Sequence, residues 1–392
     1  MNEVFIVSYG RTPMGSFGGV LSGFSATQLG AIAVQAAIER AKIDPKMVEE
    51  LVFGNVISAN LGQAPARQVA IKSGLANETN CTLVNKVCAS GMKSITIAAQ
   101  NIQMGHTDIA VVGGMESMSS IPYYLPHARW GMKYGGSEII DGLQKDGLVD
   151  AYDNLAMGVY ADRTATKYEI SREAQDEYTI QSYKRSAQSF ANNLIQKEIA
   201  TITIAQKKAD PILVTEDEEY KKVDFSKISS LRPIFTADGT VTAASSSTMN
   251  DGASAMVLMS GKKVKELNLK PLARIVSYAD AEHEPAWYTT APATAAPIAL
   301  KRGGLGLNDI DFFEVNEAFA VVPLTFAKVL NIDPAKMNIN GGSISIGHPL
   351  GSTGCRIVGT LCSILEQNNA SKGLAAICNG GGGATSVVIE KV

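Results

Sequence analysis

Three features of the chain predict an α/β fold. Short apolar runs of strand length recur at Val4 to Val7, Leu51 to Phe53, Ile109 to Gly113, Phe312 to Val315, Leu374 to Cys378 and Ser386 to Ile389. Between them lie stretches of helical period, such as Met92, Ile95, Ala99 and Ile102, or Ile357, Val358, Leu361, Ile364 and Leu365. That alternation implies sheets covered by helices on both faces, largely parallel because strands buried on both sides read as continuous apolar runs. The third feature is a correspondence between the two ends. IDPKMVEELVFGNV runs into Asn55, with Cys88 33 positions later, then a helix pattern and the strand IAVVGG. LNDIDFFEVNEAF carries Asn316, with His348 32 positions later, then a helix pattern and the strand AAICNGGGG. Two similar halves account for this most economically.

Taken in order, MNEVFIVSYGRTP opens directly on a strand, with Glu3 just ahead of it, which predicts neither a signal peptide nor an arginine-rich presequence. From Ser119 to Thr248 the strand-helix rhythm breaks. Aromatics and prolines in IPYYLPHARWGMKYGG lead to a polar helix behind Ser171, with Glu173 in its first turn, and then to the charged stretch EDEEYKKVDFSK. An excursion of this length predicts a substrate-binding lid. The expected organisation is a first half in 1–118 and 249–270, an inserted loop domain in 119–248, and a second half in 271–392.

With 392 residues, 45% of them apolar and 19% charged, the chain is long enough for more than one packed unit. A formal net charge of -3 leaves no basic surplus for nucleic acid, and no apolar segment is long enough to span a bilayer. The final IEKV is no peroxisomal address. Five scattered cysteines without a CxxC pair point away from a disulfide scaffold and a zinc site, and toward the cytoplasm.

Cys88, in VNKVCASGM, precedes a helix pattern, where unpaired amides and the helix dipole favour a thiolate; the competing reading is a buried packing cysteine. Of the four histidines, His106 follows a helix-ending glycine, and His127 and His283 lie in polar, proline-containing loops. His348 differs, because GGSISIGHPLGSTG sets it in a glycine-rich turn directly ahead of a helix. Cys378 ends an apolar strand and is followed by Asn379 and four glycines, Gly380 to Gly383, whose amides suit a developing oxyanion. Cys81, Cys355 and Cys362 have no such setting and read as structural. VVGGMES lacks GxGxxG spacing, no GxxxxGK[ST] occurs, and there is no HExxH, which argues against a dinucleotide, P-loop or zinc enzyme.

VCASGM around Cys88, VNEAFA at Val315 to Ala320, SIGHPLGSTG around His348, CNGGGG at Cys378 to Gly383 and GTVTA at Gly239 to Ala243 with MNDGA at Met249 to Ala253 together resemble the thiolase family, nearest its biosynthetic members. The resemblance implies a five-layered αβαβα core of two similar halves with an inserted loop domain. It also implies reversible Claisen condensation of two acetyl-CoA to acetoacetyl-CoA plus CoA, with no required cofactor. By motif, Cys88 is the acyl-accepting nucleophile, His348 the base that activates it, and Cys378 the acid/base at the α-carbon. Asn316 holds a water that shares one oxyanion hole with His348, and the amides of Cys88 and Gly380 form the other.

The same resemblance assigns coenzyme A contacts to Lys222, Val223, Lys227, Ala243, Ser247, Met157 and Phe319, although a run such as EEYKKVDFSK is otherwise a solvated face. It implies a potassium site at Tyr183 with carbonyls of Ala243, Ala244, Ser246 and Ile344, and a homotetramer joined through the loop from Arg129 to Gly136. Two departures stand out: Ala156 replaces a histidine common ahead of Met157-Gly158, and Ser245 replaces an asparagine. The rival readings are a degradative 3-ketoacyl-CoA thiolase acting on longer chains, a decarboxylating ketoacyl synthase, which would carry histidine in place of Cys378, and a non-catalytic acyl-CoA or lipid carrier.

Overall fold

The computed structural model describes residues 2–392. The first half runs β1 (Val4–Arg11), β2 (Gly15–Ser16), α1 (Ala26–Ala41), β3 (Glu50–Gly54), α2 (Pro65–Lys72), β4 (Asn80–Val84), α3 (Ser90–Gln103) and β5 (Ile109–Ser117). An excursion follows with two small hairpins, β6 (Tyr123–Tyr124) on β7 (Ile140–Asp141) and β8 (Ile202–Ile204) on β9 (Ile212–Val214). Between these hairpins lie α4 (Met157–Lys167) and α5 (Arg172–Ala191). The chain returns as β10 (Asn250–Ser260) and α6 (Gly261–Glu266). The second half is β11 (Ala273–Glu282), α7 (Ala291–Arg302), β12 (Phe312–Val315), α8 (Val321–Leu330), the single turn α9 (Ser343–Ile346), α10 (Leu350–Gln367), β13 (Lys372–Asn379) and β14 (Gly383–Lys391).

Local signals set these boundaries. Ser25 and Gln28 form a reciprocal capping box at the start of α1, and Lys42 ends that helix in the left-handed region. As expected, Ser171 caps α5, its hydroxyl accepting from the Ala174 amide at 3.2 Å. Every residue of β5 and β10 is buried, which is why both read as unbroken apolar runs.

The strand order is β12-β13-β14-β11-β1-β10-β5-β3-β4, with β2 added on β10. The halves correspond strand for strand: β1 with β11, β3 with β12, β5 with β13 and β10 with β14. Even β4 has a remnant partner, the parallel bridge from Phe313 to Met337. Within the sheet the two halves meet where β1 pairs β11 over Phe5–Arg274 and Ile6–Ala273. On either side of that join the sheets face each other across α3 and α10, which contact each other and strands of both halves. Helices α1 and α2 cover the outside of the first half, and α7 and α8 that of the second. The result is five layers, αβαβα.

One expectation is corrected. The sheets are mixed rather than largely parallel, since only β3 with β4, β3 with β5 and β12 with β13 run parallel. β14 returns from β13 through a tight glycine turn and β10 returns from the long excursion, so both lie antiparallel to their neighbours. Burial on both faces makes parallel and antiparallel strands indistinguishable by hydropathy alone. For function the consequence lies in the middle layer: the starts of α3 and α10 bring the residues just ahead of them, near Cys88 and His348, to one place.

Candidate active site

The segment between β4 and α3 is tied down residue by residue. Asn85 Oδ1 accepts from the Val87 amide at 2.9 Å, while Ser90 Oγ accepts from the Lys86 amide at 2.8 Å and donates to the Val87 carbonyl at 2.6 Å. The Lys86 ammonium pairs with Glu282 of the other half. These bonds hold Val87 at φ 47°, a left-handed conformation that a β-branched residue adopts only under strain, on the order of 1–3 kcal/mol. The strain sits one residue before Cys88, whose sulfur is met by its own amide and by that of Gly380.

Those two amides favour the thiolate, but burial outweighs them and, with the nearby Glu116 carboxylate, pushes the Cys88 thiol up to about 12. The expected resting thiolate is therefore corrected to a thiol, which becomes nucleophilic only when a base removes its proton. The reason is that Ala89 and Ser90 start α3 inside the packed middle layer, where desolvation exceeds the dipole's help.

His348 borders the same cavity as Cys88. Gly347 at φ 108° leads into it, packed so closely on Asn250 that a Cβ would collide with that side chain. The His348 amide donates to Asn250 Oδ1 at 3.1 Å, and the ring Nδ1 lies 2.8 Å from Thr353 Oγ1. Thr353 spends its one proton on the Pro349 carbonyl at 3.0 Å, so it accepts from Nδ1–H and leaves Nε2 with a free lone pair. Burial, and secondarily the Arg356 guanidinium, lower His348 to about 3, which keeps the ring neutral. Asn316 Nδ2 stands 3.4 Å from Nε2.

Cys378, at the end of β13, is fully buried and held well above the ordinary thiol range by burial and then by the approach of Cys88. Tyr288, buried and hydrogen-bonded to the Met157 carbonyl at 3.1 Å, feels both cysteines. Beyond Cys378 the chain turns through Gly381 and Gly382, at φ 89° and 94°, and so presents Gly380 to Cys88.

These groups border a cavity of about 670 Å³. Cys88, His348 and Gly380 line it; Asn316 and Cys378 lie just behind, through His348 and Cys88. Of the expected coenzyme A contacts, Met157, Lys222, Ala243, Ser247 and Phe319 line the cavity. Val223 and Lys227 do not: Val223 packs against the cluster around Tyr178 and Tyr183, and Lys227 points to solvent and pairs with Asp224 at 3.0 Å. Ala156 lines the cavity and brings no polar group to it. Ser245 is fully buried and closes its own turn by accepting from the Thr242 amide at 2.9 Å. At the expected cation position Tyr183 packs beside Ile344, and no backbone hydrogen bond among the described residues ends on the carbonyls of Ala243, Ala244 or Ser246, so the donor set fits a hard cation. No cluster of three or more His, Cys, Asp or Glu suited to a metal occurs among the described residues.

Sequence reasoning missed four contributors. Tyr288 carries no local signal at all. Thr353 lay within GHPLGSTG and Glu116 within VVGGMES, read there only for glycine spacing. Glu116 is fully buried without a cation, yet accepts from the amides of Val56, Ile57 and Gly351 and from Asn55 Nδ2, tying β5 to the segment after β3 and to the start of α10; burial still raises it to about 7. Ser343 joins Asn316 to Arg356.

Comparison with known proteins gives a consistent result. Residues 4–262 match the family model for the thiolase N-terminal domain and 269–391 that for the thiolase C-terminal domain. The chain is 52% identical to the acetyl-CoA acetyltransferase of Schizosaccharomyces pombe, over 100% of this chain and 99% of that protein. It is likewise 52% identical to the mitochondrial acetyl-CoA acetyltransferase A of Xenopus laevis, over 100% of this chain and 93% of that one. A crystal structure of a thiolase from Ascaris suum in complex with coenzyme A superposes with a TM-score of 0.94 at 42% identity, covering 100% of both chains.

Proposed function

The chain belongs to the thiolase family, and from that premise and the site geometry we propose that it is an acetyl-CoA C-acetyltransferase, condensing two acetyl-CoA to acetoacetyl-CoA and CoA in a reversible ping-pong reaction. The observation that carries the mechanism is the meeting, at one cavity, of a half-buried thiol and a neutral imidazole with its Nε2 lone pair free, with a second, buried thiol just behind the first.

His348 Nε2 takes the Cys88 proton as sulfur attacks the thioester carbonyl, whose oxygen is met by the Cys88 and Gly380 amides. The tetrahedral species collapses, breaking the carbon–sulfur bond to CoA, and Cys378 gives its proton to the departing sulfur. Acetyl-Cys88, the His348 imidazolium and the Cys378 thiolate remain. That thiolate then removes a methyl proton from the second acetyl-CoA, and the enolate oxygen is held by Asn316, through its bound water, and by His348. The enolate carbon attacks acetyl-Cys88, acetoacetyl-CoA leaves, and the imidazolium returns its proton to Cys88. The high resting position of both thiols suits this order, since each must first be a proton donor.

Lys222, whose ammonium also lies 3.0 Å from Glu218, would meet coenzyme A phosphate at the cavity mouth, with Ser247 and Ala243 along the arm and Met157 and Phe319 packing the pantetheine. Potassium would sit among the carbonyls of Ala243, Ala244, Ser246 and Ile344 beside Tyr183, bracing the turn that lines the cavity. Trp130 and Tyr134, well exposed in the 129–136 loop, would join dimers into a homotetramer. Five free cysteines favour a reducing cytoplasmic setting, and among the described residues no helix is long and apolar enough to cross a membrane. The test is a two-direction assay with acetyl-CoA, acetoacetyl-CoA, its 2-methyl analogue and a C8 3-ketoacyl-CoA. Acetoacetyl-CoA should be the faster thiolysis substrate, and preference for the C8 chain would instead establish the degradative reading.

A further inference from the structure

The Asn316 amide has two orientations related by exchange of its oxygen and nitrogen, and only one offers an N–H to the site. Two contacts select it in the resting enzyme. On one side is His348 Nε2, a lone pair at 3.4 Å from Nδ2, because Thr353 claims the proton on Nδ1. On the other is Ser343 Oγ, which donates to Asn316 Oδ1 at 2.6 Å. Ser343 itself accepts from Arg356 Nη2 at 2.8 Å, and the guanidinium pairs with Glu314 at 3.5 Å. All six side chains are buried, so apart from the Asn316 nitrogen turned to the site none has water as an alternative partner.

The two contacts behave differently during turnover. Once His348 has taken the Cys88 proton, Nε2 becomes a donor and faces the Asn316 Nδ2–H₂, donor against donor. The ring then favours the exchanged amide, with Oδ1 toward Nε2. That exchange would aim Nδ2 at Ser343 Oγ, which already accepts from Arg356, and would strand the serine proton without an acceptor in a dry interior. We propose that Arg356 and Ser343 are positioning residues that hold the Asn316 amide with its N–H toward the site while His348 is protonated, the stage at which the enolate forms. The assignment rests on the catalytic reading above.

The experiment compares the full-length wild type, Ser343→Ala, Asn316→Ala and the double variant, measuring acetylation of Cys88 by mass spectrometry, steady-state condensation and thermal unfolding. Ser343→Ala should still acetylate at Cys88 and keep its KM, with kcat about tenfold lower, the effect of one lost buried hydrogen bond. In the Asn316→Ala background the same substitution should change nothing further, since the serine acts through that amide. Ser343→Ala with wild-type kcat, or losses that multiply in the double variant, would overturn the inference. If Ser343→Ala unfolds early, the comparison of double and single Asn316 variants at a temperature where both are folded decides in the same way. A wild type that never acetylates at Cys88 would remove the catalytic reading and this inference with it, whereas an acetylating wild type leaves the variants to judge the inference alone.

Discussion

Asn55 and Asn316 occupy equivalent places in the two halves, one residue beyond β3 and one beyond β12, and they have been put to opposite uses. Asn55 is spent on structure: Nδ2 donates to Glu116 at 2.7 Å and to the Met115 carbonyl at 3.2 Å, while Oδ1 accepts from Ser58 at 2.8 Å. Asn316 anchors only its oxygen firmly, on Ser343, and turns its nitrogen toward His348 at 3.4 Å. The residues that follow diverge similarly. Cys88 is partly exposed to the cavity behind a strained Val87, whereas His348 is buried and bonded at its amide and at Nδ1. A duplicated frame thus presents a thiol from one half and a locked imidazole from the other.

The sharpest break of this comparison comes from the two cysteines. Cys88→Ala should lose acetyl-enzyme and turnover in both directions, a drop of at least about 10⁴-fold in kcat. Cys378→Ala should lose condensation by roughly 10³-fold or more while still acquiring one acetyl group at Cys88, read by intact-protein mass spectrometry. Normal condensation by that variant would refute the division of labour.

The asparagines test the comparison directly. Asn316→Ala should lower kcat by about 10²-fold, as for loss of an oxyanion donor, with a smaller loss of stability from the Ser343 hydroxyl left without its acceptor. Asn55→Ala should do the reverse, costing about 1–3 kcal/mol of stability by denaturant titration because it leaves Glu116 short of a donor, with kcat within about threefold of wild type. Equal kinetic losses in the two would mean that both halves of the frame are catalytic.

A last expected effect is on the pH dependence of stability. His348 is near 3 in the fold against an ordinary 6.5, so the unfolded chain binds the proton more readily, and stability is lost as pH falls through that window. Glu116 works oppositely: raised from 4.5 to about 7, it favours the fold at low pH and loses that contribution as pH rises through 7. His348→Asn should therefore flatten the acid-side loss by about 1 kcal/mol per pH unit below pH 6, measured by urea unfolding. An unchanged slope would show that the ring is not held neutral.

The sequence by itself determined the alternation of strands and helices and the two similar halves, because strand-length apolar runs and the spacings Asn55 to Cys88 and Asn316 to His348 are properties of the chain; the αβαβα plan and the proposed reactive set came through the resemblance of its motifs to the thiolase family. It did not determine strand direction, since β10 and β14 are buried on both faces and hydropathy is blind to polarity of pairing. Nor did it determine protonation. The helix-start position of Cys88 argued for a thiolate, and only the packed layer between the sheets made desolvation the larger force. Thr353, Glu116, Tyr288 and Ser343 act through bonds to residues distant in the chain or through hydroxyl protons whose direction depends on every neighbour at once. Such roles are decided by tertiary structure because a hydrogen bond network has to be satisfied as a whole, and no stretch of sequence contains all of its members.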